Sequence, residues 1–542
     1  MLIFLNSNRK WFVFLFFLSF FLLGIFITPD YGVSIDEDNT RIVGFLTLES
    51  IFKIFSPEHL GQVNEIIAEQ KSEVPNLDIV PSSGVTFDLP MAFLELIFNI
   101  EDSRNYFLLR HYFNFLFFFT SVYFFYLLSS KRYNSWMIGI FGALFLIITP
   151  RIFANGFYNN KDIIFMSLSI INLYLAINFL EKQTYKNALL LAIITALTIN
   201  VRIFGLILLF LFLFFYIINI LRNKNNKKII KPLIFFSILA PFFIFVFWPY
   251  LWTNPIENLF YSLKHLSEHS INVNTYYLGQ YFFATNAPWH YHLVWVLVTT
   301  PIVYLILFFI GFVLIAQRII RRLFKIEKND AYTDLWRGSK ELQDLIFFLT
   351  FVIPIILAID FGSISYDGWR HLFFIYPSFL LIALRGLFFA KIILSKNKNL
   401  LNILILILIF PTMFWMYKNH PYQNIYFNFL AGKNFNKSFE MDFFGTSNKA
   451  ALEYIASYET KRANVYSLST TDLGLSKKIM KKEMREKVDI AYSLDNADYL
   501  INNYRDWKGV TLPTNFAPPK NFKILHEIKV DGITINTIYK KN

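Results

Sequence analysis

Apolar runs long enough to cross a membrane recur along the chain, and they constrain its fold more than any other feature. A helix needs roughly 20 apolar residues to cross a bilayer core of about 30 Å. Of the 542 residues, 55% are hydrophobic and 65 are Phe, which is more apolar surface than a soluble core could hide. The expected fold is therefore mainly α, a polytopic bundle of transmembrane helices. About eleven spans are predicted, at residues 11–28, 106–128, 135–153, 162–180, 187–201, 203–221, 232–250, 291–316, 345–360, 371–390 and 400–417.

The basic residues between these runs predict how the chain is oriented, because short loops rich in Lys and Arg face the cytoplasm. With eleven spans, all of these loops fall on one side, at residues 9–10, 131–132, 182–186, 222–231, 318–328 and 391–398. We expect a multi-pass protein of the cell (inner or plasma) membrane with a cytoplasmic amino terminus and an extracytoplasmic tail. The two runs that flank Asn200–Arg202 could instead form one long kinked helix, which would change the orientation of everything downstream.

Charge and cysteine content exclude several classes of function. The net charge is +13, but the Lys and Arg residues lie between apolar runs and do not gather on one soluble face, as nucleic-acid binding requires. The chain has no cysteine, which excludes a disulfide framework, a thiolate metal site and a cysteine nucleophile.

Three long segments fall on the outer side of this topology, at residues 29–105, at residues 251–290 and in the tail. The tail loses the long apolar runs and gains Lys, Asn, Asp and Glu, so we place a domain boundary near residue 418. Residues 1–417 are expected to form the transmembrane module, and residues 418–542 a small extracytoplasmic α/β domain. Within the tail we predict strands at 464–468, 488–492 and 498–502, a helix at 475–487, and a hairpin that turns at Asp531–Gly532.

Carboxylates at the outer ends of the spans are the first candidates for chemistry, because charges near a bilayer core are costly and tend to be functional or interfacial. Asp36, Glu37 and Asp38 follow the first run, and neighbouring carboxylates can divide the work of a base and an orienting group. A solvated acidic loop that caps the next helix explains the same residues. Asp162 opens the fourth run, where an acid at a helix amino terminus is favourable in itself.

Cations and aromatic residues of the outer segments are the second group of candidates. Arg202 could hold a phosphate, although a snorkelling arginine fits the same context. Arg370 and His371 stand at a helix start and could clamp a phosphate, or Asp367 could simply pair with Arg370. Histidines of the second outer loop could bind a metal, but their spacing matches no strong ligand pattern. That loop contains Trp248, Trp252, Lys264, His265, Glu268, His269, Gln280, Trp289, His290, Tyr291 and His292.

Seven segments in order resemble the GT-C membrane glycosyltransferases of family 39, the group that includes protein O-mannosyltransferases and lipid A aminoarabinose transferases. The resemblance runs across most of residues 10–445, and it rests on the order of the segments because no single one is diagnostic. The segments are SIDEDNTRIVGF, GFYNNKDIIFMSL, NVRIFGL, WPYLW with NPIENL, LGQYFFATNAPWHYHLVWVLVTTP, YDGWRHLFFIYP and NHPYQNIYFNFLAG.

The resemblance implies a sugar transferase that works on the outer face of the membrane. The donor would be a polyprenyl-phosphate sugar, and a hexose or pentose would pass with inversion to a protein, lipid or envelope-glycan acceptor. Asp36, the first acid of the pair with Glu37, would be the catalytic base, and Asp162 would match the family's second outer acid. The cation candidates for the donor phosphate are Arg202, Lys264, Arg370 and His371. The candidates for lining the substrate are Gln280, Trp289, His290, Tyr291 and Asp367.

One stretch departs from the family. Characterised relatives often carry a basic residue in the first outer loop that approaches the lipid phosphate, whereas the matching stretch here reads GVTFDLPMAFLE. Which cation holds the phosphate is therefore open. The resemblance implies no certain cofactor and leaves a divalent metal open.

A transporter or flippase of a lipid-linked or small-molecule substrate is the main alternative. Transporters place buried charges near the bilayer midplane on broken helices, whereas the acids of this chain stand at outer helix ends and in outer loops. A non-catalytic assembly or sensory protein is a third interpretation, and it predicts that Asp36 can be replaced harmlessly.

Overall fold

The structure is a computed structural model that describes residues 8–73, 84–222, 230–267, 273–324, 335–360, 365–394, 398–506 and 517–542. Its helices, numbered in chain order, are α1 (Arg9–Ile27), α2 (Glu37–Phe55), α3 (Leu60–Glu73), α4 (Asp88–Ile97), α5 (Ser103–Tyr133), α6 (Trp136–Ile147), α7 (Pro150–Tyr158), α8 (Asp162–Glu181), α9 (Tyr185–Val201), α10 (Gly205–Arg222), α11 (Ile230–Phe247), α12 (Pro255–Ser267), α13 (Tyr291–Thr299), α14 (Ile302–Phe324), α15 (Ser339–Asp360), α16 (Tyr376–Ile393), α17 (Lys398–Lys418), α18 (Ser447–Tyr458), α19 (Leu473–Lys478) and α20 (Lys482–Arg485). Its strands are β1 (Asn274–Tyr277), β2 (Gln280–Phe283), β3 (Ala463–Ser467), β4 (Val488–Ile490), β5 (Tyr499–Asn502), β6 (Phe522–Val530) and β7 (Ile533–Lys541).

Nine helical segments in the described part of the chain are long and apolar enough to cross a membrane. The bent pair α6 and α7 can count as a tenth span, and α9 is a shorter apolar helix. Every predicted run corresponds to one of these elements, so the polytopic helical fold is confirmed.

The bend between α6 and α7 measures 70° and falls within a run predicted as a single span. Thr149 is extended there, with φ −95° and ψ 102°. Because Pro150 has no N–H and restricts the residue before it, the first helix ends and a new one begins. α7 then leads the chain to the start of α8, where Asp162 stands.

Two other breaks place residues of interest. α9 ends at Val201 and α10 begins at Gly205, with Arg202 extended between them, so the structure has two helices rather than one long kinked helix. The predicted run 291–316 is also divided, because α13 ends before Pro301 and the long helix α14 begins after it. Tyr291 therefore belongs to a separate short helix.

The helices α14 and α16 cross closely at two glycines. A Cβ added at Gly311 would lie 1.9 Å from the carbonyl oxygen of Ile382, and one added at Gly386 would lie 2.1 Å from that of Leu307. Small residues allow helix backbones to approach each other in membranes. This crossing fixes α16, and a 3-10 turn that begins at Arg370 leads directly into that helix.

The segment after α1 forms the helical layer α2 to α4. The apolar residues Ile42, Phe45 and Leu48 of α2 are buried in a cluster with residues of α3 and α4, and Arg41 pairs with the buried Glu95 of α4. These contacts fix the start of α2, where Asp36 is the N-cap residue.

A five-stranded sheet near the carboxyl end has the order β4-β3-β5-β7-β6. β3 pairs in parallel with β4 and β5, whereas β7 pairs antiparallel with β5 and β6. The β6–β7 turn lies at Asp531 and Gly532, with φ of 52° and 78°, as predicted. The helix predicted at 475–487 is instead two short helices, α19 and α20.

Candidate active site

Asp36 stands immediately before α2, and its side chain is 35% exposed. Its Oδ2 accepts a hydrogen bond of 2.7 Å from Nη1 of Arg370, and the side chain makes no capping bond to the helix. Arg370 therefore orients a carboxylate that still reaches solvent. This is the geometry that a general base needs, because its oxygen must approach the proton that it removes.

Asp162 is buried, with a side chain 1% exposed, and it holds two arginines. Its Oδ1 accepts a hydrogen bond from Nη2 of Arg202, and its Oδ2 lies 3.3 Å from Nη1 of Arg370. Asn159 donates to the same Oδ2 at 3.0 Å. With both oxygens committed to these donors, Asp162 is suited to position Arg202 and Arg370 beside Asp36.

Asp367 extends the charge cluster toward the carboxyl-terminal region. Its backbone is left-handed, with φ 55°, a conformation that Asp adopts more readily than most residues. Its carboxylate contacts Nη2 of Arg370 at 3.1 Å and Nη2 of Arg505 at 2.5 Å, and Arg505 also pairs with Glu440. Burial raises the pKa of Asp367, while Arg505 and Arg370 act in the opposite direction. Acids and arginines thus alternate from Asp36 to Glu440.

Lys161 is a cation of this cluster that the sequence analysis did not single out. The pKa of Lys161 is lowered to about 8, first by burial and then by the neighbouring Arg202, against the opposing effect of Asp36 and Asp162. Its position in the sequence could have indicated it, because Lys161 directly precedes the candidate residue Asp162 in the segment GFYNNKDIIFMSL. The cluster therefore offers a further cation near Asp36.

Glu37 is next to Asp36 in sequence but points into the protein. Its Oε1 accepts a 2.6 Å hydrogen bond from the backbone N–H of Ser34, and its Oε2 lies 2.9 Å from Nε2 of His111 on α5. The side chain is fully buried. These contacts suit Glu37 to anchor the start of α2, and a catalytic role for it stays a prediction.

Tyr291 and His371 lie against the same cluster. The buried Tyr291 hydroxyl accepts a 3.1 Å hydrogen bond from the N–H of Gly368, the residue after Asp367. The ring of His371, which follows Arg370, packs against Tyr366 with 4.8 Å between ring centroids. Both residues can shape the site without belonging to its ion pairs.

Four predicted site residues of the second outer segment, three of them exposed and His290 half-buried, lie outside these buried ion pairs. Lys264 is exposed on α12, and Gln280 is exposed at the start of β2. Trp289 is 66% exposed. Nδ1 of His290 lies 2.6 Å from the hydroxyl of Tyr277.

The histidine-rich metal site considered from sequence falls partly outside the described residues. Glu268 and His269 lie there, and the side chain of His265 is not described. Nε2 of His292 is 2.9 Å from Oγ of Ser365. Among the described residues, no group of three or more His, Asp or Glu side chains is arranged to hold a metal ion.

Comparison with known proteins finds a family model that matches part of the chain. Residues 89–248 match the family model described as dolichyl-phosphate-mannose-protein mannosyltransferase. The chain is similar to GT-C glycosyltransferases of family 39. The matched segment includes Lys161, Asp162 and Arg202, and the family 39 resemblance expected from the sequence is confirmed.

A solved structure is also similar. It is the crystal structure of ArnT from Cupriavidus metallidurans bound to undecaprenyl phosphate, with 11% sequence identity, 98% of each chain covered and a TM-score of 0.45. No curated protein matches the chain.

Proposed function

We propose that the chain transfers a sugar from a polyprenyl-phosphate donor to an acceptor on the outer face of the membrane, with inversion at the anomeric carbon. The observation that carries the proposal is the partly exposed carboxylate of Asp36, oriented by Arg370 beside the buried Asp162 and Arg202. The family match over residues 89–248 supports the same reaction class. The charge asymmetry of the loops supports an outer site and a cytoplasmic amino terminus.

Asp36 is proposed as the general base. The acceptor hydroxyl or amine gives its proton to the Asp36 carboxylate while its oxygen or nitrogen forms a bond to the anomeric carbon. The bond from that carbon to the phosphate oxygen breaks on the opposite face, and the polyprenyl phosphate leaves with the electron pair. Attack opposite to the leaving group inverts the configuration.

Arg202 and Arg370 are proposed to stabilise the negative charge that develops on the departing phosphate. Both guanidinium groups are held by Asp162, so they need little rearrangement when the charge appears. Arginine can also bind two phosphate oxygens at once. His371 and Lys161 are adjacent in sequence to residues of these pairs, whereas Lys264 is exposed on α12 and is the least favoured of the predicted phosphate ligands.

A donor assay tests the reaction class. The purified protein in detergent, supplied with a radiolabelled polyprenyl-phosphate sugar and no nucleotide, should release polyprenyl phosphate. Addition of envelope extract as acceptor should increase this release. Turnover with a nucleotide sugar in the absence of any lipid carrier would overturn the proposal, and movement of intact donor across vesicle membranes without cleavage would favour the transporter alternative.

A further inference from the structure

A cavity of about 400 Å³ lies between the β1–β2 hairpin and the carboxyl-terminal region. Its walls come from that hairpin, from residues 434–443, from the loop at 503–506, and from the β6–β7 turn and the start of β7 at 532–535. The volume lies within the range of about 300 to 1,000 Å³ that is usual for small-molecule sites. We call this cavity the tail pocket, and the reaction proposed above leaves it without a role.

A series of ion pairs links one wall of the tail pocket to Asp36. Arg505 lines the pocket and contacts Asp367 at 2.5 Å. Asp367 contacts Arg370 at 3.1 Å, and Arg370 contacts Asp36 at 2.7 Å. Three consecutive ion pairs therefore connect the tail pocket to the candidate catalytic base.

The lining of the pocket combines aromatic rings with side-chain amides. The rings of Tyr276 and Tyr281 are 4.9 Å apart between centroids. Tyrosine offers an apolar face and a polar hydroxyl in one side chain, and each amide offers both a donor and an acceptor. This combination suits a sugar ring, which has apolar C–H faces and a rim of hydroxyl groups. The other Tyr and Asn residues of the lining are Asn434, Asn436, Asn503 and Tyr504. Of these, Asn503 already donates to the carbonyl of Asp442 and accepts from the hydroxyl of Thr471.

Glu440 adds an independent sign of a polar ligand. This residue lines the pocket and is 6% exposed. Its Oε1 accepts a 2.9 Å hydrogen bond from the N–H of Tyr276 and pairs with Arg505. Its Oε2 is buried and has no hydrogen-bond partner among the described residues. A buried acceptor without a donor is costly, and a ligand hydroxyl in the pocket would provide the missing donor.

The charges of the lining and the strand pairing beside it disfavour two classes of ligand, phosphates and peptides. The acidic residues Glu440, Asp442 and Asp506 outnumber the cations Lys437 and Arg505, which disfavours a phosphate. Peptides often bind by extending a sheet edge, but Tyr277 at the end of β1 already pairs with the backbone of Phe439. Uncharged hydroxyl-rich molecules fit the lining better than either.

We infer that the tail pocket binds a neutral glycan segment of the acceptor. The inference rests on the proposed function, since it names the acceptor of that same reaction as a glycan. In this arrangement the pocket holds part of the acceptor glycan while another sugar of it presents a hydroxyl to Asp36.

Photo-crosslinking in cells tests the inference with the full chain. p-Benzoylphenylalanine replaces Tyr281 in one variant and Asn436 in a second, so that the test survives if one variant fails to fold. The matched control carries the same group in place of Tyr492, which follows β4, is fully exposed and does not line the pocket. After irradiation, the purified chains are digested and analysed by mass spectrometry.

We expect periodate-sensitive, sugar-containing adducts at position 281 or 436 and none at position 492. Peptide adducts alone, or equal adduct yields at the pocket and control positions in folded protein, would overturn the inference. The donor assay reports separately on the proposed function. Sugar adducts without donor cleavage would contradict the proposed reaction but support glycan binding in the tail pocket. Donor cleavage without sugar adducts would support the reaction and contradict glycan binding in the pocket.

Discussion

At the scale of single residues, the contacts of Asp36 and Asp162 suit them to different roles although both touch Arg370. Asp36 is partly exposed, whereas Asp162 is buried between Arg370 and Arg202. Both acids could be predicted from the sequence because each stands at or near the outer end of an apolar run. The ion pair of Asp36 with Arg370 could not, because the two residues are 334 positions apart. The contact of Asp367 with Arg505 could not be predicted either, since Arg505 belongs to the tail and the sequence does not indicate which segment the tail contacts.

Replacement of Asp162 by Asn should destabilise the protein, because it leaves the buried Arg370 and the partly buried Arg202 without their shared carboxylate. Loss of one partner of a buried ion pair costs about 3 to 5 kcal/mol. Thermal unfolding in detergent should show a clearly lower midpoint for Asp162→Asn. Asp36→Asn should change the midpoint little, because its ion pair is partly exposed. Equal midpoints for the two variants would contradict the positioning role of Asp162.

Lys161 should make donor binding depend on pH. The pKa of Lys161 is lowered to about 8, so its side chain is charged below that pH, loses its charge as pH rises through it, and then attracts a phosphate less. The dissociation constant for polyprenyl phosphate should therefore increase above about pH 8. Lys161→Met should weaken binding at pH 7 by about tenfold, which corresponds to roughly 1.4 kcal/mol.

The matched control for this prediction is Lys161→Arg, which keeps the positive charge throughout the range. Its affinity should stay constant as pH rises through 8. If Lys161→Arg loses affinity as the wild-type protein does, another group titrates and Lys161 does not contact the phosphate.

At the scale of helices and strands, the spans were predictable because hydropathy is a local property of each run. The turn at Asp531–Gly532 was predictable for a similar reason, since the residue pair favours the left-handed backbone that the structure has there. The breaks at Thr149 and Thr300 were missed because Pro150 and Pro301 each lie within a long stretch that is apolar on average. Close helix crossings leave no clear mark in hydropathy either.

The crossing of α14 and α16 gives a test at this scale. Gly386→Val should lower the thermal midpoint and the yield of folded protein, because its side chain would collide with the backbone of α14, which cannot move aside cheaply. Gly61→Ala is the control, since a Cβ at Gly61 meets no atom of the described residues within 4 Å. A Gly386→Val variant as stable as Gly61→Ala would show that the two helices do not pack in this way.

At the scale of the whole molecule, the orientation and the domain boundary near residue 418 stay predictions. The tail makes several contacts with the first outer segment, among them Lys478 with Asp38 at 2.8 Å and Arg485 with Asp102 at 2.6 Å. These contacts require the tail and the first outer segment to lie on the same side of the membrane.

Cysteine labelling tests that orientation, because the chain has no cysteine of its own. Single cysteines in place of the exposed Gly61 and Thr460 should react with an impermeant thiol reagent in intact cells. A cysteine in place of the exposed Lys186 should react only after the cells are opened. Labelling of position 186 in intact cells, with positions 61 and 460 protected, would reverse the predicted orientation.

The central claim is that Asp36 removes the acceptor proton, and Asp36→Asn tests it most directly because the change keeps the shape of the side chain but removes its basicity. Loss of a general base lowers rates by about 10² to 10⁴, whereas donor binding should survive because the proposed phosphate ligands lie elsewhere. The control is Asp30→Asn, which changes a nearby acid that pairs with His420 at 2.9 Å. In detergent, Asp36→Asn should bind the polyprenyl-phosphate donor as the wild-type protein does but turn over at least about 100-fold more slowly, and Asp30→Asn should keep normal turnover. Near-normal turnover in folded Asp36→Asn would contradict the account.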